Sequence, residues 1–317
     1  MGYVIIIAPE DDLHAKVVSW ELNKRGQDHL ILSLRDYPQN WSLSLKAGHS
    51  FGSDYDLRLA SGHRLSSSDI VGVWWRRTQY FDIPKVIEDA KHREFCIEES
   101  KVAIDGWMHA IGQKMINPIH VERTIRNKPY QLTLAQKAGL TVPDTLISND
   151  PADVERFYEH SADGLIFKVL SNYGGLQTPF TQNLTDDMLQ NLASLQSSPC
   201  LFQQRILGGH DLRITVVDDQ IFPCEIHISA EAAKVDWRID PNSQTFAHKL
   251  DPELAQKLLH FHKLAGLRYG AYDFRQDEKG TYWFLEVNSA GQYLWLETEA
   301  DLPISAALAD ALIRSSD

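Results

Sequence analysis

Tyr269-Gly-Ala-Tyr-Asp273-Phe, followed by Trp283-Phe-Leu-Glu286-Val-Asn288-Ser-Ala-Gly291, is the stretch whose reading decides the fold. It predicts two paired strands. Side chains alternate faces along a strand, so Glu286 and Asn288 point the same way while Phe284, Leu285 and Val287 take the remaining positions, and the hairpin adds Asp273. Three oxygen donors on one side of a sheet suit Mg²⁺, a hard ion that completes its shell with water and nucleotide phosphates. Neither His nor Cys is needed. Taken alone, a Glu-x-Asn triplet more often marks a solvated strand pair with ordinary surface acids, so the rest of the chain has to decide.

The chain has 317 residues, 43% of them hydrophobic: enough for a sizeable core and large for one globular unit, so two or three lobes are expected. A charged fraction of 23% argues against disorder. No apolar run approaches a membrane span, and Met1-Gly2 is followed by no basic region or cleavage signal, which together predict a cytoplasmic protein with no membrane partner. Cys96, Cys200 and Cys224 are few, odd in number and widely spaced, and read as core thiols. The thirteen histidines show no tight metal spacing, and they read as solvated or packed. A net charge of −12 opposes nucleic-acid binding, since neutralising phosphates needs a basic surface. Arg76, Arg77, Arg123, Arg126 and Lys128 are candidates for a local basic pocket.

Tyr3 to Ala8 reads as a buried strand, followed by a helix over 12–25 that Gly26 ends and a strand over 29–34, a βαβ opening. Its loop lacks the glycine signature of dinucleotide binding. Short strands are expected at 41–46, 55–60 and 63–65, a return to the sheet at 70–75, and a long helix over 85–111 that leads to Asn117-Pro118. Pro129 suits the first turn of the next helix. Further helices are expected at 151–160, 185–195, 251–265 and 302–314, and strands at 164–169, 200–206, 211–217, 220–228, 269–275 and 281–287. The fold class is α/β, turning to α+β in the C-terminal half.

Lys168 ends an otherwise apolar strand and precedes Ser171-Asn-Tyr-Gly174-Gly175, so a lysine stands beside a glycine-rich turn whose backbone N–H groups are free to fold over phosphate. Asp211 and Arg213, two apart on one strand, share a face, on which Asp211 is placed to orient Arg213.

Asp273, Glu286 and Asn288 sit where ATP-grasp ligases carry metal ligands, and Ala290-Gly-Gln-Tyr-Leu-Trp-Leu-Glu297 is similar to the microviridin-type peptide ligases, or graspetide maturases. Ile70-Val-Gly-Val-Trp-Trp75-Arg76-Arg77 resembles a strand end in the N-terminal domain of the same family. With Asn117-Pro118, Asn127-Lys128-Pro129, Phe167-Lys168 and Asp236-Trp237-Arg238 in order between them, the resemblance spans nearly the whole chain. It implies an ATP-grasp fold with a pre-ATP-grasp domain over 1–118, a central lid over 119–198 and a metal-bearing domain over 199–317.

The resemblance implies further that Lys128 and Lys168 are the two nucleotide-phosphate lysines, with Gly174 and Gly175 folding over the phosphates. Gln203, Gln204, Arg205 and Ile206 would form the hinge strand whose backbone meets adenine, although the family usually has Glu where Gln204 stands. Asp211 would approach the ribose, and Arg213 and Arg238 the transferred phosphate. The implied cofactors are ATP and Mg²⁺, and the implied reaction is phosphorylation of an Asp or Glu carboxylate in a ribosomal precursor peptide. A Ser or Thr hydroxyl, or a Lys amine, then closes a macrocycle as ester or amide. A helical leader segment of the precursor would dock on the central domain, for which Asp186, Asp187 and Gln190 are the candidates; as plain helix-terminus residues, the two acids need no partner. A homodimer is expected. Two other readings share the same nucleotide residues: a ligase adding a free amino acid to a small molecule or protein tail, and a nucleotide-binding sensor without turnover.

Overall fold

A computed structural model describes residues 2–49, 52–77, 80–170, 181–228, 237, 240 and 242–316. The chain opens with β1 (Tyr3–Ile7), α1 (Leu13–Lys24), β2 (His29–Leu32), β3 (Trp41–Gly48), β4 (Gly52–Leu59), β5 (Arg64–Ser66) and β6 (Ile70–Trp75), of which β1, β2 and β6 share a parallel sheet. Asp12 caps α1 by accepting from Ala15 N at 2.9 Å, and Gly26, at a φ of 65°, lets the chain leave the helix. β6 returns beside β1 in parallel, with Ile7 opposite Trp75, while β3, β4 and β5 form an antiparallel meander. The long helix α2 (Ala90–Ile111) starts later than the expected 85, because Asp89 supplies its cap, and it leads into β7 (Met115–Ile116) beside β6.

Two helices, α3 (Ile119–Ile125) and α4 (Lys128–Lys137), precede the central sheet of β8 (Thr145–Ser148), β9 (Leu165–Lys168), β10 (Gln182–Asn183) and β11 (Cys200–Gln204), which also carries α5 (Pro151–Glu159) and α6 (Asp186–Leu189). The helix expected over 185–195 is shorter, since α6 gives way to a 3₁₀ segment at Leu192–Ser197. β11 lies between β8 and β9, so the chain passes from the central sheet toward the third after Gln204. The third sheet runs β14-β13-β12-β15-β16, from β12 (His210–Val217), β13 (Gln220–His227), β14 (Gln244–Ala247), β15 (Tyr269–Gln276) and β16 (Tyr282–Asn288), with α7 (Pro252–Ala265) between β14 and β15. After it come α8 (Leu294–Ala300) and α9 (Ile304–Ile313).

One face of the third sheet is covered by α3, α4 and α7. Ile125, Leu134, Leu258, Phe261, Phe274 and Phe284 pack there in one buried cluster, each large side chain contributing about 2 kcal/mol over exposure. The helix α9 is apolar almost all round because it packs on both sides. It joins α1 and β6 through Leu308, Ala311 and Leu312, so the C-terminus is part of the N-terminal core. Gly72 permits this, for a Cβ there would meet Leu312 O at 2.2 Å. Asn117, where a domain boundary is expected, is a buried tie. Its Nδ2 donates to Tyr269 O at 2.9 Å and Ser289 O at 3.0 Å, while its Oδ1 accepts from the N–H groups of Arg268 and Tyr269. It thereby fixes the start of β15 to the end of β16.

His262 is buried under this sheet with Nδ1 2.7 Å from the Tyr272 hydroxyl, and burial lowers its pKa to about 4. Protons therefore bind the unfolded chain more readily, so the contribution of neutral His262 is present above about pH 6.5 and is lost as the pH falls toward 4. Urea unfolding at pH 7 and pH 5 is expected to differ by about 2 kcal/mol from this residue alone. In His262→Gln that share of the difference disappears; an unchanged pH slope would show that the acid sensitivity lies elsewhere.

Candidate active site

The strand register sets two charge pairs side by side on the face opposite α7. Arg213 on β12 stands across from Asp273 on β15, and Asp211 from Arg275. Arg213 Nη1 donates to both Asp273 oxygens, at 2.7 and 2.9 Å, and Arg275 holds Asp211 through Nε at 2.9 Å and Nη2 at 2.7 Å. Asp211 therefore does not orient Arg213, as the shared face led us to expect. Residues directly opposite on antiparallel strands are closer than residues two apart on one strand, so each acid takes the arginine across from it. Burial alone would lower the pKa of Arg213, but Asp273 outweighs it and the guanidinium is held charged, above its ordinary range.

β16 completes the row. Glu286 is opposite Asp273, and Asn288 is opposite Ala271, so Asp273, Glu286 and Asn288 share one face across two strands. Lys128, at the start of α4, donates to Glu286 Oε2. Asn288 is exposed and its Oδ1 accepts from Ala290 N at 3.0 Å, which sets the turn out of β16.

Asp211, Asp273, Arg275 and Glu286 border a cleft between the central and third sheets. Lys168 lines it from β9, Gln204, Arg205 and Ile206 from the end of β11, and Asp211, Asp273 and Glu286 from the floor. Gln203 lines it too, but its side chain turns inward and donates to Thr145 Oγ1 at 2.8 Å, so its part is to join β11 to β8. Arg238, Gly174 and Gly175 lie outside the described residues, while Trp237 borders the cleft. Asp186 and Asp187, with Gln190 as the helix cap, are placed on α6 and do not border the cleft; Asp186 accepts from the Tyr158 hydroxyl at 3.3 Å.

The five basic residues considered for an anion pocket each approach an acid of the chain. Arg123 pairs with Asp105, Arg126 with Glu122 on its own helix, and Lys128 with Glu286; Arg76 and Arg77 both approach Asp12. Helix spacing and packing bring an acid to each one before any common ligand is needed. Arg76 is buried, and its Nη1 donates to Ala290 O at 3.1 Å. His14 accepts at Nε2 from Tyr293 N at 3.2 Å, and its pKa falls to about 4 through burial and the nearby Arg76, so the ring is neutral. The N-terminal domain is thus fastened to the 290–297 segment beside the metal-type ligands. Gly291 is required there, since a Cβ would lie 2.6 Å from Arg213 Nη2 and 2.5 Å from Ala271 Cβ.

Arg275, Asn117 and Gly291 are the parts of this site that sequence reasoning missed. The alternation of Asp211, Arg213 on one strand with Asp273, Arg275 on the next carried the signal for Arg275, but only a known register turns it into pairs. The donor set is oxygen throughout: two ionisable carboxylates with further lone pairs and one amide. That chemistry fits Mg²⁺ and offers nothing to a softer metal.

Comparison with known proteins agrees with this architecture. Residues 3–123 match the MvdD pre-ATP grasp domain, and residues 125–312 match the RimK-like ATP-grasp domain. The macrocyclase MdnC of Microcystis aeruginosa MRC, solved with its precursor peptide MdnA, is 29% identical with a TM-score of 0.86, over 99% of this chain and 100% of that one. A RiPP-associated ATP-grasp ligase of Chryseobacterium gregarium, solved with ADP and a leader and core peptide, is 27% identical with a TM-score of 0.88, over 100% and 98%. A probable alpha-L-glutamate ligase of Haemophilus influenzae is 23% identical over 202 residues, which is 63% of this chain and 66% of that relative's length. The chain belongs to the RimK-like ATP-grasp family, whose members are ligases using ATP and Mg²⁺, and it carries an MvdD-type pre-ATP-grasp domain ahead of the ATP-grasp domain.

Proposed function

We propose that this protein closes side-chain macrocycles in a ribosomal precursor peptide at the expense of ATP. The observation that carries this reading is the junction of Arg76 with Ala290 and of His14 with Tyr293. It joins the two segments that set the peptide-cyclising branch apart, 70–77 and 290–297, beside Arg213, whose Nη2 lies 3.5 Å from Gln292 O. The full-length likeness to precursor-bound MdnC supports it.

In this reading Asp273, Glu286 and Asn288 hold Mg²⁺, which when bound offsets the charge of the nucleotide phosphates. Lys168 faces those phosphates, and the end of β11 meets adenine through its backbone. Arg213 holds Asp273 in the ligating orientation; Lys128 does the same for Glu286. A substrate Asp or Glu oxygen attacks the γ-phosphorus, the bond to ADP breaks, and an acyl phosphate results. A hydroxyl or amine of the same peptide then attacks the acyl carbon, loses its proton, and inorganic phosphate leaves. The peptide has lost one water, and no protein nucleophile is needed.

Incubation with ATP, Mg²⁺ and a precursor carrying Thr, Ser, Lys, Asp and Glu should give a mass loss of one water per ring, and mild alkaline hydrolysis of the product separates ester from amide. A mass gain from a free amino acid, with the peptide otherwise unchanged, would replace this reading with the amino-acid ligase one.

The domain limits stay part of this proposal, as does a homodimer; the exposed Val86, Phe95 and Val102 along and before α2 support the latter, and sedimentation velocity tests it. For the leader, α6 borders an apolar groove containing Met188, Leu192, Phe167 and Phe202, which would accept one face of an amphipathic helix while Asp186 and Asp187 meet its basic residues. The double variant Asp186→Asn/Asp187→Asn is expected to weaken precursor binding about 10-fold without changing ATP affinity. Unchanged precursor binding would leave these acids as helix caps.

A further inference from the structure

Three strands of the third sheet bring two histidines and a glutamate together on the face away from the nucleotide cleft. His210 alternates with Asp211 on β12, so it points to the opposite side of the sheet. Glu225 comes from β13, and His248 follows β14, where its N–H continues the ladder to Pro223 O at 3.0 Å. One ligand atom from each residue lies within 4.8 Å of the other two.

We infer that His210, Glu225 and His248 form a binding site for one zinc-like divalent transition-metal ion, separate from the Mg²⁺ site. Three observations carry it. His210 Nε2 is buried and has no hydrogen-bond partner among the described residues. Its 3.6 Å distance to Glu225 Oε2 is long for a hydrogen bond but close to the separation of two ligands on tetrahedral zinc, about 3.3–3.5 Å for bonds of roughly 2.0–2.1 Å. His248 Nδ1 lies 2.9 Å from the same oxygen, so a small opening of that contact admits the ion.

The surroundings are those of a ligand set held in place. His248 Nε2 is 3.2 Å from the Tyr282 hydroxyl, whose oxygen accepts a hydrogen bond from Nε2–H when Nδ1 binds metal, and His227 Nε2 bonds the other Glu225 oxygen, Oε1. Imidazole nitrogens select zinc, cobalt or nickel over magnesium, so the two faces of this sheet sort two classes of cation. Bound there, the ion joins β12, β13 and the segment after β14, and so stiffens β12, which carries Arg213 on its other side.

The test is calorimetric titration of the tag-free full-length protein with Zn²⁺ in excess Mg²⁺. One zinc per chain is expected. Affinity should fall at least about 10-fold in His248→Ala and in Glu225→Gln, fall by a smaller factor in Tyr282→Phe, and stay at the parent value in Glu286→Gln. X-ray absorption of the zinc-loaded parent, which needs no variant to fold, should show two imidazoles in the zinc shell. The absence of saturable binding, a shell of oxygen alone, or parent affinity in both His248→Ala and Glu225→Gln would overturn the assignment.

Discussion

Glu286→Gln is expected to reduce ATP-dependent turnover by about 100-fold or more while the protein remains folded. The amide matches the carboxylate in shape but removes one of two anionic donors from a set of three, and a hard cation binds through charge. The exchange also leaves the Lys128 ammonium without the carboxylate that it contacts. Because Glu286 is partly exposed at the mouth of β16, the fold loses little. Turnover should be partly restored by raising Mg²⁺, which separates a metal defect from a general one. A folded Glu286→Gln protein with parent turnover at ordinary Mg²⁺ would remove Glu286 from the metal site. It would leave the zinc inference untouched.

The second large effect is expected at Arg213. Its side chain is buried and its guanidinium holds both oxygens of Asp273, so Arg213→Met removes the paired positive charge from a carboxylate that is itself mostly enclosed. Removing one partner of a buried ion pair costs about 3 kcal/mol or more, which should appear as a melting temperature lower by several degrees. Arg213→Lys keeps the charge and loses the planar fork, so Asp273 is neutralised without being oriented. For this variant the fold should be largely retained and turnover should fall about 10- to 100-fold, with the required Mg²⁺ concentration raised. An Arg213→Met protein as stable as the parent, or an Arg213→Lys protein with parent turnover and Mg²⁺ dependence, would sink the positioning role. Gly291 bears on the same point, since it leaves room for Nη2 that any side chain would fill.

The two proposed cation sites differ in how much of each was legible in the sequence. The shared face of Glu286 and Asn288 was legible because strand alternation is a local rule: two positions apart on one strand means the same face, whatever the rest of the chain does. The buried strand Tyr3–Ile7, the capped helix α1, and the Pro-started helices at Lys128, Pro151 and Pro252 were legible for the same reason, each being set by neighbours in sequence. The pairing of Arg213 with Asp273 and of Asp211 with Arg275 was not, because it depends on which residues the β12–β15 register places opposite each other. Nor was the group of His210, Glu225 and His248, whose spacing along the chain carries no pattern and whose closeness comes from three strands lying side by side. Asn117 makes the point at the level of domains. Its position before a proline marks a change of direction, but only the closed structure puts its amide among the backbone groups of Arg268, Tyr269 and Ser289. The sequence by itself determined the elements and the faces their side chains take, since those follow from backbone periodicity. The tertiary structure decided which charges meet, which histidines cluster and where the N-terminal domain is fastened to the 290–297 segment, since those depend on contacts between residues far apart in the chain.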